Sequence, residues 1–347
     1  MKIYAAILAS VITIVAILGG VFITKASSLS SPERYFQKGK RYYEMGNYDE
    51  AINNLNEYLS IDTKLRPLDN IAQSYFLVAD SLKKQKKYHL AKERLTEIID
   101  NPEFISYSTN AIITYADIAR LENAADYYIM PKLQNNLRAK DKDIASTMNM
   151  EYGYQLFFQK KYGEALSYFL RANGELAVLG RARVYFNMND YDRAFEIYED
   201  FLQYYKTSVY YDEVMRTYLI QVPARAHKSF LERNYTKARM YYNKIATLFP
   251  RTKYEEEALF RIGQSYYDEK NYDKAIEFYN KVRYNNNIDT LDAEALLYIG
   301  LSYFKVGRYS DSYKTLDSFV SQYPNNPNVS RAKEYMAALQ ETLLTLN

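Results

Sequence analysis

One spaced pattern returns seven times along this chain, and it constrains the fold more than any other feature. Each copy has a small residue in a column that we number 0, a turn residue at +7, Tyr at +9 and Ala or Ser at +12. In the first copy these residues are Gly39, Gly46, Tyr48 and Ala51. Column 0 of the other copies is Ala79, Gly153, Ala182, Ala226, Gly263 and Gly300.

The spacing predicts pairs of helices joined by a tight turn. Small residues in column 0 and at +12 allow the two helices to approach closely. The Tyr at +9 follows the turn, so its ring can pack between the helices. Because a single hairpin cannot bury its own apolar face, neighbouring hairpins have to stack. The sequence therefore predicts an all-α solenoid of seven to eight helical hairpins.

The intervals between the +12 residues indicate where the array is irregular. They measure 40, 74, 29, 44, 37 and 37 residues, and 74 is twice 37. A degenerate third hairpin is expected near Tyr115 to Leu137, and a shortened one near Asn173 to Leu179. We predict an N-terminal sub-array over 32–137, a joint at 138–146, a C-terminal sub-array over 147–328 and a capping helix over 329–347.

The N-terminal segment from Ile3 to Thr24 contains 22 residues without a charge, bracketed by Lys2 and Lys25. A helix of that length spans about 33 Å, enough to cross a bilayer core. We predict a transmembrane signal anchor over 1–25, a tether over 26–31, a cytoplasmic N-terminus and an exported array. A cleaved signal peptide and a buried soluble helix are the alternatives.

Composition excludes several classes of protein. The chain has 39 Tyr, two His and no Cys, so thiol nucleophiles, Cys-ligated metals and disulfides are excluded. A net charge of +3 gives no general reason to expect a nucleic-acid partner. Phosphate-binding, metalloprotease and hydrolase motifs are absent from the sequence. We expect neither an enzyme nor a cofactor, a metal ion or a small-molecule substrate, and we predict protein partners.

The pattern resembles the tetratricopeptide repeat family. The family's large residue four positions before column 0 appears as Tyr35, Tyr75, Leu259 and Leu296, and its closing proline as Pro250 and Pro324. The resemblance implies that first helices line a concave groove, with positions −6, −3, +1 and +4 facing it. An aromatic at +4 could instead pack on the next hairpin. The candidate groove residues for a protein partner are Phe36, Tyr43, Phe76, Phe157, Phe186, His227, Phe230, Phe260, Tyr267 and Phe304.

The segment from Phe249 to Pro324 is similar to the envelope branch of this family, in which a Tyr-Pro or Phe-Pro dipeptide separates hairpins. That branch includes the periplasmic coordinator of the Tol-Pal system and the lipoprotein of the outer-membrane assembly machine. This chain lacks the acylated Cys of the latter and the N-terminal coiled coil of the former. The resemblance implies a scaffold or adaptor in the bacterial envelope, tethered by its N-terminal helix to the inner membrane with its repeats in the periplasm.

Three alternatives remain at this point. The chain could be released into the periplasm after signal cleavage. It could be a structural subunit of a periplasmic assembly, such as an outer-membrane assembly, secretion or flagellar-collar complex. It could also regulate a cell-wall enzyme. The lysines Lys83, Lys84, Lys86 and Lys87 form a basic cluster that is interpreted as a solvated turn, or as a contact for an acidic partner or lipid headgroup.

Overall fold

The computed structural model describes residues 31–62, 64, 66–283 and 289–345. These residues form helices and turns without any strand. The predicted signal anchor and nearly all of the tether lie outside them. No described helix has both the length and the apolar composition that a membrane span requires. The chain divides into two compact units, the first ending at Asn189 and the second beginning at Asp190.

The first unit contains nine of the described helices, and consecutive helices pack against each other. Its core is one continuous cluster that runs from Phe36 to Val184. The helices are α1 Ser31–Glu44, α2 Tyr48–Ser60, α3 Leu68–Lys84, α4 Tyr88–Ile99, α5 Ile105–Leu121, α6 Ile129–Asn136, α7 Lys142–Phe158, α8 Tyr162–Phe169 and α9 Glu175–Asn187.

The second unit contains eight described helices, also packed in chain order. Two of its core clusters centre on Tyr279 and on Phe319. The helices are α10 Tyr191–Tyr204, α11 Tyr211–Leu231, α12 Tyr235–Leu248, α13 Lys253–Asp268, α14 Tyr272–Arg283, α15 Asp289–Lys305, α16 Tyr309–Gln322 and α17 Val329–Thr345.

The predicted turn is realised with one geometry in every patterned hairpin. The +7 residue has a φ between 58° and 78° in all seven copies, which places it in the left-handed region. In six copies the +8 N–H then donates to the +3 carbonyl at 2.8 to 3.0 Å, as Asn47 does to Tyr42. This bond is the Schellman closure of a helix C-terminus. The next helix begins at the +9 Tyr in all seven copies.

The small columns allow helices to touch, as predicted. All seven +12 residues, from Ala51 to Ser312, have no exposed surface. A Cβ added to Gly39, Gly153, Gly263 or Gly300 would lie 2.5 to 2.9 Å from the side chain sixteen residues later. A large residue at +16 of the second helix therefore fills the space above each of these glycines, a relation that the sequence pattern had not included.

Phe169 makes the tightest such contact. A Cβ at Gly153 would lie 2.9 Å from this ring, and a Cβ at Gly180 would lie 2.5 Å from it. The ring of Tyr154 meets the same phenyl group edge-on at 4.9 Å. Phe169 is fully buried, so its ring has little room to move away from an added methyl group.

The third hairpin lies where the 74-residue interval predicts it. Ala116, 37 residues before Gly153, is fully buried in column 0 of α5. Asn123 supplies the left-handed turn residue with a φ of 54°, and the Ala124 N–H donates to the Ala119 carbonyl at 3.3 Å. The hairpin differs from the others because α6 begins only at Ile129. The 29-residue interval has an equally local cause, since α8 is only 8 residues long.

The two compact units do not divide at the predicted joint, 138–146. Helix α7 begins at Lys142 and packs against both α5 and α6. Its residues Met148, Met150 and Leu156 belong to the core of the first unit. This apolar continuity outweighs the polar composition of the segment, and the division falls instead between Asn189 and Asp190. At the other end of the second unit, α17 packs against α16, where the sequence predicts a capping helix.

Candidate functional site

The first helices of successive hairpins lie next to each other within each unit. In the first unit, α1 contacts α3, α3 contacts α5, α5 contacts α7 and α7 contacts α9, and in the second unit α13 contacts α15. We call the side of each unit formed by these first helices its inner side. The groove positions inferred from the family resemblance belong to these helices.

The aromatic residues at +4 are half-buried, and most of them pack on the elbow Tyr of their own hairpin. The Phe230 and Tyr235 rings have centroids 5.5 Å apart, and Tyr267 and Tyr272 lie 5.3 Å apart. The same pairing occurs between Tyr43 and Tyr48, between Phe157 and Tyr162, and between Phe304 and Tyr309. Phe186 is also half-buried. These rings thus support the elbow as well as facing the inner side.

Two of the predicted groove residues are core residues instead. Phe36 is 3% exposed and lies 5.3 Å from the Tyr58 ring, while Phe260 is 5% exposed against Tyr279 and Tyr298. The −3 position turns toward the second helix in these hairpins, so neither ring presents surface to a partner. Phe76 is half-buried against the core of the first unit.

Charged and polar side chains connect the first helices of the first unit. The Tyr43 hydroxyl donates to Asp80 at 2.6 Å, and Lys83 forms an ion pair with Asp117. In both cases a +4 residue meets the +1 residue of the next hairpin. Arg120, which is the +4 residue of the third hairpin, also pairs with Asp117.

Glu151 ends this polar row and is almost fully buried. Its Oε1 accepts a hydrogen bond from Arg120 Nε at 3.3 Å, and the Arg120 guanidinium lies 5.5 Å from the Tyr154 ring centre. Burial raises the pKa of the Glu151 carboxyl from 4.5 to about 7, against the lowering effect of Arg120. We call Tyr43, Asp80, Lys83, Asp117, Arg120 and Glu151 the polar row of the first unit.

The basic cluster divides once Lys83 is placed in the polar row. Lys84, Lys86 and Lys87 are exposed at the elbow between α3 and α4. His89 lies nearby on α4, with 85% of its side chain exposed and its Nε2 3.3 Å from Glu93. The exposure of these three lysines and of His89 is that of a solvated turn.

The inner side of the second unit is aromatic where that of the first unit is charged. Tyr267 lies 5.4 Å from Tyr298, and Phe304 lies 5.1 Å from Tyr335 of α17, both edge-on. Burial raises the pKa of Tyr267 to about 12. Each +4 ring in these two pairs therefore contacts the helix that follows its hairpin as well as its own elbow, in agreement with the packing alternative for this column.

A cavity of about 300 Å³ opens on the inner side of the second unit. It lies between α11, α12 and α13, and it brings the exposed His227 together with residues from two further groove positions, Pro223 at −3 and Glu257 at −6. The full lining is Leu219, Pro223, His227, Tyr242, Ile245, Tyr254, Glu257, Ala258 and Arg261. We call this the α11–α13 cavity.

Three consecutive acids at the start of α13 lie in three different environments. Glu255 accepts a hydrogen bond from the Arg251 N–H at 2.6 Å, and Glu257 is exposed at the cavity. Glu256 is fully buried, and its pKa is raised to about 7 by burial and by Asp292. The sequence pattern assigns all three to the helix dipole, because it contains no information about burial.

Among the described residues, no group of three or more His, Asp or Glu side chains is arranged to hold a metal ion. The most developed site in the second unit is therefore an apolar cavity with a polar rim. Its geometry suits recognition of a bound group by contact and hydrogen bonding.

Comparisons with known proteins identify the repeats. Four segments match family models described as tetratricopeptide repeat, namely residues 32–65, 176–208, 256–286 and 294–326. The second of these segments runs across the division between the two compact units. No curated protein sequence matches the chain.

Two similar solved structures are also repeat proteins. A tetratricopeptide repeat protein from Parabacteroides merdae is 14% identical with a TM-score of 0.43, over 78% of this chain and 98% of that one. The TPR2AB domain of yeast Sti1, in a complex with pHSP90, is 12% identical with a TM-score of 0.31, over 89% of this chain and 98% of that one.

Proposed function

Since this chain is a tetratricopeptide repeat protein, a family of protein-interaction scaffolds, we propose that it holds a protein partner on the inner side of its second unit, at the α11–α13 cavity. The observation that carries the proposal is the open cavity itself, where His227, Pro223 and Glu257 from three groove positions share one surface. In this proposal the protein acts by binding and has no catalytic role.

The two inner sides support this assignment differently. In the first unit, Lys83, Asp117 and Arg120 already pair with one another, so a partner would have to displace existing ion pairs. In the second unit the cavity is open, and His227 beside it is exposed. Binding there requires less rearrangement of charged groups.

Positional crosslinking tests the proposal directly. A photoreactive amino acid placed at position 227 of the full chain should form an adduct with a protein partner in the native cells. The same amino acid at position 237, an exposed site on α12 that does not line the cavity, serves as the control. An adduct at 237 but none at 227 would exclude the cavity as the partner's site.

We further propose that residues 1–25 anchor the chain in the inner membrane, with the repeats in the periplasm. The proposal rests on the uncharged run from Ile3 to Thr24 and on the resemblance of the segment from Phe249 to Pro324 to envelope repeat proteins. A reporter active only outside the cytoplasm, fused after Asn347, should be active in this orientation. Activity of only a cytoplasmic reporter at the same position would reverse the topology, and a shortened, soluble product would indicate signal cleavage.

A further inference from the structure

The floor of the α11–α13 cavity is apolar. Ala258 and Ile245 are 2% and 4% exposed, and the half-buried Leu219 and Pro223 complete the floor from α11. A volume of about 300 Å³ is at the lower end of the range for ligand pockets. The space suits one bulky side chain with its adjoining backbone.

The rim of the cavity is rich in hydrogen-bond donors. The Arg261 guanidinium donates to Gln264 through Nη1 at 2.9 Å and lies 3.9 Å from Glu257 through Nη2. The second distance is beyond hydrogen-bonding range, so the fork keeps donors for a ligand. His227 and the hydroxyl of Tyr242 lie on the same cavity. A guanidinium flanked by an imidazole and a phenol complements an anionic group.

Pro223 adds an acceptor to this set of donors. It lies inside α11 and has no N–H, so the carbonyl of Leu219, four residues earlier, cannot receive its helical hydrogen bond. Both residues line the cavity. A peptide backbone N–H at the cavity would find an acceptor there.

Together these features select one kind of ligand. We infer that the α11–α13 cavity binds a peptide in which a bulky apolar side chain is followed directly by a carboxylate, the side chain filling the floor and the carboxylate contacting Arg261. This inference rests on the proposed function and specifies the chemistry of the partner. The carboxylate can belong to the C-terminus of a chain or to an Asp or Glu side chain.

Three small probes distinguish these sources when titrated into the full chain by isothermal calorimetry or NMR. They are N-acetyl-phenylalanine, which has a free carboxylate, N-acetyl-phenylalanyl-glutamic diamide, which has only a side-chain carboxylate, and N-acetyl-phenylalaninamide, which has none. We expect at least one carboxylate probe to bind about tenfold or more tightly than the amide. The tighter of the two names the source.

Matched variants test the two halves of the site. Arg261→Gln should remove the advantage of the carboxylate probes, whereas Arg233→Gln, at an exposed arginine outside the cavity, should keep it. Leu219→Phe fills the floor and should abolish binding of all probes, while Ile220→Phe, at a 59% exposed neighbour, should not. Circular dichroism of each variant checks that the helices are retained.

The inference is overturned if no probe binds at 10 mM (about the weakest affinity a single-site contact supports), if the amide binds as tightly as both carboxylates, or if Arg261→Gln leaves the preference unchanged. These failures are distinct from failure of the proposed function. Partner crosslinking at position 227 without probe binding would retain the scaffold and reject the ligand chemistry. Probe binding without crosslinking would retain the ligand chemistry and reject the cavity as the partner's site in the cell.

Discussion

At the residue scale, the closest packing in the first unit occurs where a glycine meets a large ring. Phe169 has Gly153 on one side and Gly180 on another, and Tyr154 limits its movement. Glycine is used here for its small size, because each added methyl group would overlap the ring. Overpacking of this kind destabilises a core, since neighbouring side chains are forced out of their preferred rotamers.

We predict that Gly180→Ala lowers the free energy of unfolding by about 1–3 kcal/mol, measured by urea denaturation. The control is Gly163→Ala, at an exposed helical glycine with nothing within 4 Å of the added Cβ. This change should leave stability unchanged or raise it by up to about 1 kcal/mol through helix propensity. Equal effects of the two substitutions would contradict the contact with Phe169.

The buried Glu151 predicts a specific pH dependence. Because folding raises the pKa of its carboxyl, its stabilising contribution is complete below about pH 4.5 and is lost as the pH rises to about 7. Glu151→Gln should therefore gain stability over the wild type across that range, reaching about 3 kcal/mol above pH 7. Thermal unfolding at several pH values measures the difference, with Glu164→Gln at an exposed position as the control. A constant difference between Glu151→Gln and wild type would contradict the assignment.

At the element scale, the elbow is a repeated solution to one geometric requirement. The chain must reverse between two helices, and the Schellman closure needs a left-handed residue at +7. That residue is Gly in two hairpins, Asn in one, and Lys or Arg in the remaining four patterned hairpins. Residues with a Cβ are strained in this conformation, so the geometry is imposed by the packing of the two helices.

We predict opposite effects at two elbows of the first unit. Lys160→Gly should raise the free energy of unfolding by about 1 kcal/mol, because a left-handed residue loses its Cβ. Gly46→Ala should lower it by a similar amount, although the new methyl group would meet nothing within 4 Å. Denaturant unfolding of both variants checks the signs, and a gain from Gly46→Ala would contradict the closure.

Hairpin positions were predictable from the sequence, because each hairpin is specified by residues close together in the chain. Tyr48 and its counterparts mark the start of every second helix in the pattern. Even the third hairpin, which lacks the elbow Tyr, kept its spacing of 37 residues through Ala116. The end of the first unit was not predictable in this way, since it depends on how much apolar surface α7 shares with α5 and α6.

The site could be predicted only by column. The pattern placed His227 and Pro223 at positions that line the cavity. It could not predict that Phe36 and Phe260 are buried, because burial depends on the second helix against which a −3 ring packs. The contribution of Arg261 was also missed, since the cavity is formed where three helices meet. A complementary pair such as Lys83 and Asp117, at +4 and the following +1, is a signal that sequence reasoning could have used.

At the scale of the whole molecule, the two units have separate described cores. The cluster containing Leu95 stays within the first unit, and the clusters around Tyr279 and Phe319 stay within the second. In a repeat protein each hairpin contacts only its neighbours, so damage to one core remains local. Mutation of each core should therefore affect one unit selectively.

We predict that Leu95→Ala, which removes a fully buried side chain, destabilises the first unit by about 2–5 kcal/mol. Hydrogen exchange should accelerate in α3 to α6, while α13 to α16 keep their protection. Phe319→Ala should give the reverse distribution, and so serves as the matched variant. Loss of protection throughout both units in either variant would contradict separate cores.

The sixteen-residue interval between each column-0 glycine and its partner has a consequence for how the chain folds. Contacts such as that of Gly263 with Tyr279 join residues that are near neighbours in sequence. Chains dominated by such local contacts form quickly, because little loop entropy is lost before the contact stabilises the pair. Each hairpin can therefore close as it leaves the ribosome and present a finished surface to the next, so the N-terminal unit can assemble while the C-terminal one is still being synthesised.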